Sequence, residues 1–119
     1  VTYGAMLYKA LEAADLLAKE GVFVEILDLR TLMPLDREAI VESVRKTNKL
    51  MIVHEDVRTG GIAGEIAVSV TEEAFEWLDG PIIRVTAPDT PVPFAPNLED
   101  CFIPKVEDIV KAARKLYRY

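Results

Sequence analysis

Histidine and cysteine are nearly missing from this chain: His54 and Cys101 are the only ones in 119 residues. A lone cysteine excludes an intrachain disulfide, and beside a lone histidine it excludes a structural zinc cluster of about four such ligands. The unpaired thiol suits a reducing compartment. Cations are also in deficit, 14 Lys and Arg against 20 Asp and Glu, for a formal charge of -6. That balance opposes nucleic acid, whose phosphates need a basic face, and at long range it favours basic partners. No apolar run approaches the ~20 residues of a membrane-spanning helix, and the opening residues form no charged-then-apolar leader. Repeats and low-complexity tracts are absent.

Half of the residues are hydrophobic and 29% are charged, the composition of a globular chain of one-domain length. A core of that size buries on the order of two-thirds of the unfolded surface and needs no covalent staple. Residues 5–20 carry Met6, Leu7, Ala10, Leu11, Ala14, Leu17 and Ala18 at helical spacing, and Gly21 suits a left-handed C-cap. "VFVEILDL" at residues 22–29 predicts a strand buried on both faces. Asp36 is the expected N-cap of a helix at Arg37–Thr47, with Ile40, Val41 and Val44 inward and a Glu42–Lys46 pair outside.

"LMIVH" at residues 50–54 predicts a short buried strand, residues 62–78 a helix and residues 81–86 a further strand. Trp77, with Phe75 and Leu78, is expected in the core at the end of that helix. A closing helix over residues 105–117 should face Val106, Ile109, Val110, Ala113, Leu116 and Tyr117 inward. Residues 1–3 read as the end of a strand, so the chain is expected to be a fragment of a longer protein. Strands alternating with helices imply right-handed crossovers. The fold class is α/β, a three-layer α/β/α domain with a mostly parallel sheet of at least four strands.

The loop at residues 87–104 holds five of the seven prolines. Proline fixes its own φ and pushes the preceding residue toward extended geometry, so this is a stiff arm. Phe94, Leu98, Phe102 and Ile103 on it must dock on this domain or a neighbour, at roughly 1.5–3 kcal/mol for each fully buried side chain.

The candidate chemistry centres on "HEDVRTGGIAGE" at residues 54–65. Glycines before a helix N-terminus can cradle an anion, but the G-G-x-x-G spacing matches neither the dinucleotide nor the phosphate-loop pattern. Glu55 and Asp56 would repel a phosphate there. Gly60 and Gly61 are therefore read as a tight turn, and Gly64 as a point of close helix approach. His54 lies at a strand end, where α/β domains bind ligands, yet no nucleophile motif and no second histidine accompany it. It reads as a hydrogen-bonded structural or interface histidine. Cys101 sits beside an acid, which disfavours a reactive thiolate. The acidic run Glu72, Glu73, Glu76 and Asp79 is a solvated helix face or a docking patch for a basic partner.

"TYGAMLYKALEAADLLAKEGVFVEILDLRTLMPLD", "HEDVRTGGIAGEIA", "IIRVTAPDTPVPFAPNLEDCFIP" and the final amphipathic helix together resemble one family over essentially the whole chain. It is the C-terminal domain of the beta subunit of thiamine-dependent 2-oxo acid dehydrogenases, with the transketolase C-terminal-domain fold. "NLED" before "CFIP" looks closer to branched-chain or acetoin-type enzymes than to pyruvate enzymes. The resemblance implies a holoenzyme that decarboxylates a 2-oxo acid on thiamine diphosphate, with magnesium, and acylates a lipoyl group. It implies that the cofactor lies between the alpha subunit and an N-terminal pyrimidine-binding domain that is not in this sequence. No catalytic, cofactor or metal residue is carried over.

The implied partners are the alpha subunit and a second beta subunit in an alpha2-beta2 tetramer, and the small basic subunit-binding domain of the dihydrolipoyl acyltransferase. Glu76, Asp79 and the Tyr119 carboxylate are the expected docking residues. His54, Gly60, Gly61, Gly64, Asp89 and Phe94 are expected at subunit interfaces, with His54 facing the neighbour. The implied location is the cytoplasm of a bacterium or archaeon, or the mitochondrial matrix in a eukaryote. A competing reading is a free-standing regulatory or small-ligand-binding α/β module that uses the strand ends near His54.

Overall fold

The computed structural model describes residues 1–119, and its sheet is built on parallel pairing at the centre of the chain. Strand β1 (Met51–Val57) pairs in parallel with β2 (Ile83–Ala87), with Ile52 opposite Arg84 and Val53 opposite Val85. On the other side of β1, Thr2 bridges in parallel to both Val53 and Asp28. The Thr2 N–H donates to the Leu27 carbonyl at 3.0 Å and the Leu29 N–H to the Thr2 carbonyl at 2.9 Å. Four parallel lines therefore run in the order residues 27–29, residues 1–3, β1, β2.

Alternation along β1 sorts the core into two halves. Leu50 and Ile52 join a buried cluster with α2 (Arg37–Thr47) and α3 (Ile62–Ala74), including Ile40, Val44, Ile66 and Val70. Met51 and Val53 face the opposite cluster, with α1 (Met6–Ala18) and α5 (Val106–Tyr117), including Met6, Leu17, Ile109 and Ala113. This is the three-layer arrangement with helices on both faces of a parallel sheet.

Helix ends follow their local chemistry. Behind α1, Gly21 adopts φ +80°, its N–H donates to the Ala18 carbonyl, and the Val22 N–H donates to the Leu17 carbonyl. These are the two bonds of a Schellman motif, and Leu17 and Val22 complete it in one apolar cluster. Asp36 caps α2 by accepting the Ala39 N–H at 3.0 Å. At α5 the Asp108 carboxylate reaches back to the Lys105 N–H at 2.9 Å.

Several expectations give way. Residues 22–29 are not a strand buried on both faces: Phe23 is 85% exposed, and only Asp28 is bridged. The neighbouring line at residues 1–3 reaches only residues 27–29, so residues 22–26 have no ladder beside them. Lys46 pairs with Glu25 on that edge instead of Glu42. The third helix ends at Ala74 and tightens into a single 3-10 turn at Phe75–Trp77. That break rotates Phe75 and Trp77 off the stripe of Ala63, Ile66, Val70 and Ala74, leaving them 67% and 43% exposed. Leu78 alone of the three packs on the core. Tyr117 likewise points outward from α5.

The proline arm contains a short helix, α4 (Pro96–Phe102), which buries Phe102 while leaving Phe94 and Leu98 in solvent. Replacing Asp36 with Ala removes the side-chain cap on α2 and should destabilise the chain by about 1 kcal/mol, with Asp36→Asn close to wild type. Urea unfolding followed by circular dichroism reads both; an unchanged midpoint for Asp36→Ala contradicts the assigned cap.

Candidate functional site

The alternation that sends Ile52 toward α3 also sends His54 there, at the C-terminal part of β1. Its ring is 0% exposed and stacks on Tyr3, with centroids 6.0 Å apart and planes at 24°. Neither ring nitrogen has a hydrogen-bond partner in the chain. The contact that seals it comes from Gly61, the residue before α3. A Cβ at position 61 would lie 2.4 Å from the Val57 carbonyl oxygen and 2.9 Å from His54 Cε1. Only glycine fits this approach, and Gly60 before it turns the chain at φ +80°.

Past His54, β1 loses regular register before Val57 meets Ala87. Glu55 and Asp56 leave the sheet into solvent there, and Asp56 accepts the Val57 N–H at 2.7 Å. The corner is tied to the proline arm by Asp89. Its two carboxylate oxygens accept the Thr59 N–H at 2.8 Å and the Thr59 hydroxyl at 2.7 Å. Those bonds, the hydroxyl first, hold the Asp89 carboxyl below its ordinary range.

The structure thus gathers His54, Gly60, Gly61 and Asp89 into one corner and adds Tyr3 and Thr59, which sequence reasoning missed. An Asp just after β2, opposite a Thr-Gly-Gly just after β1, was the available signal for the Thr59 tie. The imidazole is closed off from solvent, and the corner carries Glu55, Asp56 and Asp89 alongside Arg58, while Glu65 pairs with Arg37. No group of three His, Cys, Asp or Glu side chains is disposed to hold a metal ion. The histidine expected to face a neighbouring subunit is enclosed by its own chain. Gly64 meets nothing within 4 Å, so the close approach expected there is made by Gly61 instead. Phe94 stands apart on the arm with its side chain fully in solvent.

A second locality forms where the 3-10 turn meets the C-terminus. Asn48, left-handed at φ 60°, donates from its side chain to the Trp77 carbonyl, and its own carbonyl accepts the Asp79 N–H at 3.0 Å. Lys49 pairs with the Asp79 carboxylate. Gly80 lies against Tyr119, where an added Cβ would come within 3.0 Å of the tyrosine Cβ. Tyr119 therefore packs on the residue after Asp79, and Glu76 lies exposed on the turn before. Asp79 is partly neutralised by Lys49, which the acidic run in the sequence did not reveal.

Burial holds the His54 imidazole below its ordinary pKa, against an opposing pull from the Asp56 carboxylate and backbone. Tyr3 is pushed up by burial, then by Asp56 and Glu55. With the folded value depressed, the unfolded chain takes up the imidazole proton first, so stability should fall as pH drops below about 6.5. In the 119-residue chain taken by itself, the Val1 amine, buried and lowered to about 6 from 8.0, adds a loss of the same sign starting at higher pH. His54→Phe should flatten only the lower part of the profile; an unaltered profile by thermal melting contradicts the sealed imidazole. Gly61→Ala should destabilise by about 1–3 kcal/mol through overpacking, whereas Gly64→Ala, inside α3 and unopposed, should be neutral or stabilising by up to about 1 kcal/mol. Equal effects from the two alanines in urea unfolding contradict the assigned approach of helix to strand.

Residues 1–109 match the family model described as "Transketolase, C-terminal domain". The chain is 49% identical over 113 residues to "Pyruvate dehydrogenase E1 component subunit beta-2, mitochondrial" of Oryza sativa subsp. japonica, covering 95% of this chain and 30% of that protein. It is 50% identical over 115 residues to "Acetoin:2,6-dichlorophenolindophenol oxidoreductase subunit beta" of Cupriavidus necator, covering 97% and 34%. With "Pyruvate dehydrogenase E1 component subunit beta" of Bacillus subtilis the identity is 40% over 119 residues, 100% and 36%. Among solved structures, "Split gene transketolase, inactive beta4 tetramer" superposes with a TM-score of 0.82 at 32% identity, covering 98% of this chain and 37% of the other. The chain spans about a third of the length of the curated relatives it matches.

Proposed function

The chain belongs to the transketolase C-terminal domain family, and from that premise we propose that it is the assembly and partner-docking domain of a 2-oxo acid dehydrogenase beta subunit. The observation that carries this reading is the 40–50% identity, over nearly the whole chain, to beta subunits of pyruvate and acetoin oxidoreductases. The holoenzyme on this reading decarboxylates a 2-oxo acid on thiamine diphosphate with magnesium and acylates lipoyl groups. Mitochondrial and bacterial relatives support either the mitochondrial matrix or the bacterial cytoplasm as its setting.

The glycine corner does not fit the cofactor. Glu55, Asp56 and Asp89 there would oppose a diphosphate, the Arg58 guanidinium is turned to the Arg84 carbonyl, the histidine is sealed, and no cluster of acids is poised for magnesium. No chemical step is assigned to it. The contribution of the chain is to subunit contacts, through the exposed apolar side chains Val92, Phe94 and Leu98 of the proline arm. Patches of this kind on otherwise polar surfaces mark protein interfaces. The similar chain described as a split gene transketolase in an inactive beta4 tetramer supports assembly through such subunits.

The docking residues are Glu76, Asp79 and the Tyr119 carboxylate, facing the basic subunit-binding domain of the acyltransferase. Reversing Glu76 and Asp79 to Lys in the full alpha2-beta2 assembly should weaken acyltransferase binding by about tenfold or more and flatten its dependence on salt. Surface plasmon resonance at low and high ionic strength reads this, and unchanged affinity at both removes these residues from the docking face. The 119-residue chain alone should self-associate through its arm and show no heat on titration with thiamine diphosphate. Sedimentation as a strict monomer at high concentration, or saturable cofactor binding, would contradict the assembly reading.

A further inference from the structure

A chain with a charge of -6 nevertheless concentrates six of its 14 Lys and Arg residues around one groove: Arg58, Arg84, Lys111, Arg114, Lys115 and Arg118. The groove has a volume of about 660 Å³ and runs between β2 and the flank of α5, floored by Pro81, Ile82 and Ile83. Its cations are mostly unspent. Arg114 pairs with Glu20, whereas the other five form no close ion pair, although Arg58 lies near enough to Asp89 to help hold its carboxyl down. Arg58 and Arg84 hold each other in place instead, each guanidinium donating to the other's backbone carbonyl at 3.2 and 3.3 Å. Asp108, the acid on the lining, is occupied with the Lys105 N–H at the start of α5.

The sheet ends at the same place. β2 pairs with β1 through one side only, and no strand covers its other side. In a parallel ladder alternate residues direct their backbone groups to opposite neighbours. The Ile83 N–H donates to the Leu50 carbonyl of the β1 side, so the N–H groups of Arg84 and Thr86 point outward, as does the Arg84 carbonyl, which Arg58 covers and an added strand would have to release. An open strand edge is a template for an added strand, and cations along it select the charge of what is added.

We propose that the β2–α5 groove binds an extended acidic segment of another protein chain, adding it as a strand along β2 with its carboxylates on Arg84, Lys111, Lys115 and Arg118. The site goes beyond the assembly reading above and is separate from the acidic docking face, whose partner must be basic.

A fluorescein-labelled heptapeptide of alternating Glu and Val, titrated into the full 119-residue chain, tests this by fluorescence anisotropy. Saturable binding is expected, weakened at least about tenfold by the exposed double substitution Lys111→Glu, Lys115→Glu and by added salt. Hydrogen exchange at Arg84 and Thr86 should slow on binding, and a peptide N-methylated at alternate residues should lose most of its affinity. Circular dichroism of the double variant should match wild type, separating lost binding from lost fold. Absence of saturable binding, insensitivity to the double substitution, or equal binding of the N-methylated peptide overturns the proposal. So does displacement of the peptide by equimolar tripolyphosphate, which would make the groove a simple anion sink.

Discussion

The backbone of Gly61 passes so close to β1 that a single methyl group there would sit 2.4 Å from the Val57 carbonyl oxygen. This approach brings the start of α3 over the end of β1, so that Ala63, Ile66 and Val70 can close on Leu50 and Ile52 in one core. It also makes His54 a wall of that corner. The imidazole exchanges water for a tyrosine face and a glycine backbone, gains no well-formed hydrogen bond in return, and has its pKa lowered by burial. A buried polar ring without partners costs stability, and the surrounding packing must offset it. The Asp89–Thr59 bonds brace the same corner from the proline arm, which links the interior of the domain to its most exposed apolar residues.

Charge is divided as sharply as the core. Acidic residues gather on the outer side of α3 and the turn that follows it, while cations collect along β2 and α5. Most ion pairs join exposed side chains from separate segments, such as Arg37 with Glu65 and Arg114 with Glu20, and at such exposure they add little to stability. Their effect is to decide which charges remain free. Asp79 is partly cancelled by Lys49, whereas Arg58, Arg84, Lys111, Lys115 and Arg118 keep their charge available. The net charge of the chain alone points to basic partners and conceals a second surface of the opposite sign.

Much of the architecture was legible because its causes are local. Asp36 caps α2 because a short carboxylate three residues ahead of Ala39 can reach its N–H, and Gly21 ends α1 because it can take a positive φ. The apolar spacing of α2, α3 and α5 needed no knowledge of what those helices pack against. The illegible parts depended on neighbours. Residues 22–26 have the composition of a buried strand but lie at an open edge, and Trp77 reads as core until the helix tightens at Ala74. At the glycine corner the residue types were visible while their division of labour was not, since Gly60, Gly61 and Gly64 look alike in sequence.

Determined by the sequence alone are the α/β class, the helix boundaries near their caps, the lack of covalent or zinc staples, and the family, because each follows from residue identity and spacing along the chain. The tertiary structure decided that Gly61 and not Gly64 meets the sheet, that His54 is sealed, that Thr59 binds Asp89, and that cations far apart in sequence line one groove. The Gly61 contacts are local, to Val57 and His54, while the rest depend on segments about 30 to 60 residues apart, as between Thr59 and Asp89 or Tyr3 and His54. Spacing along a chain does not specify such distances until the core has closed.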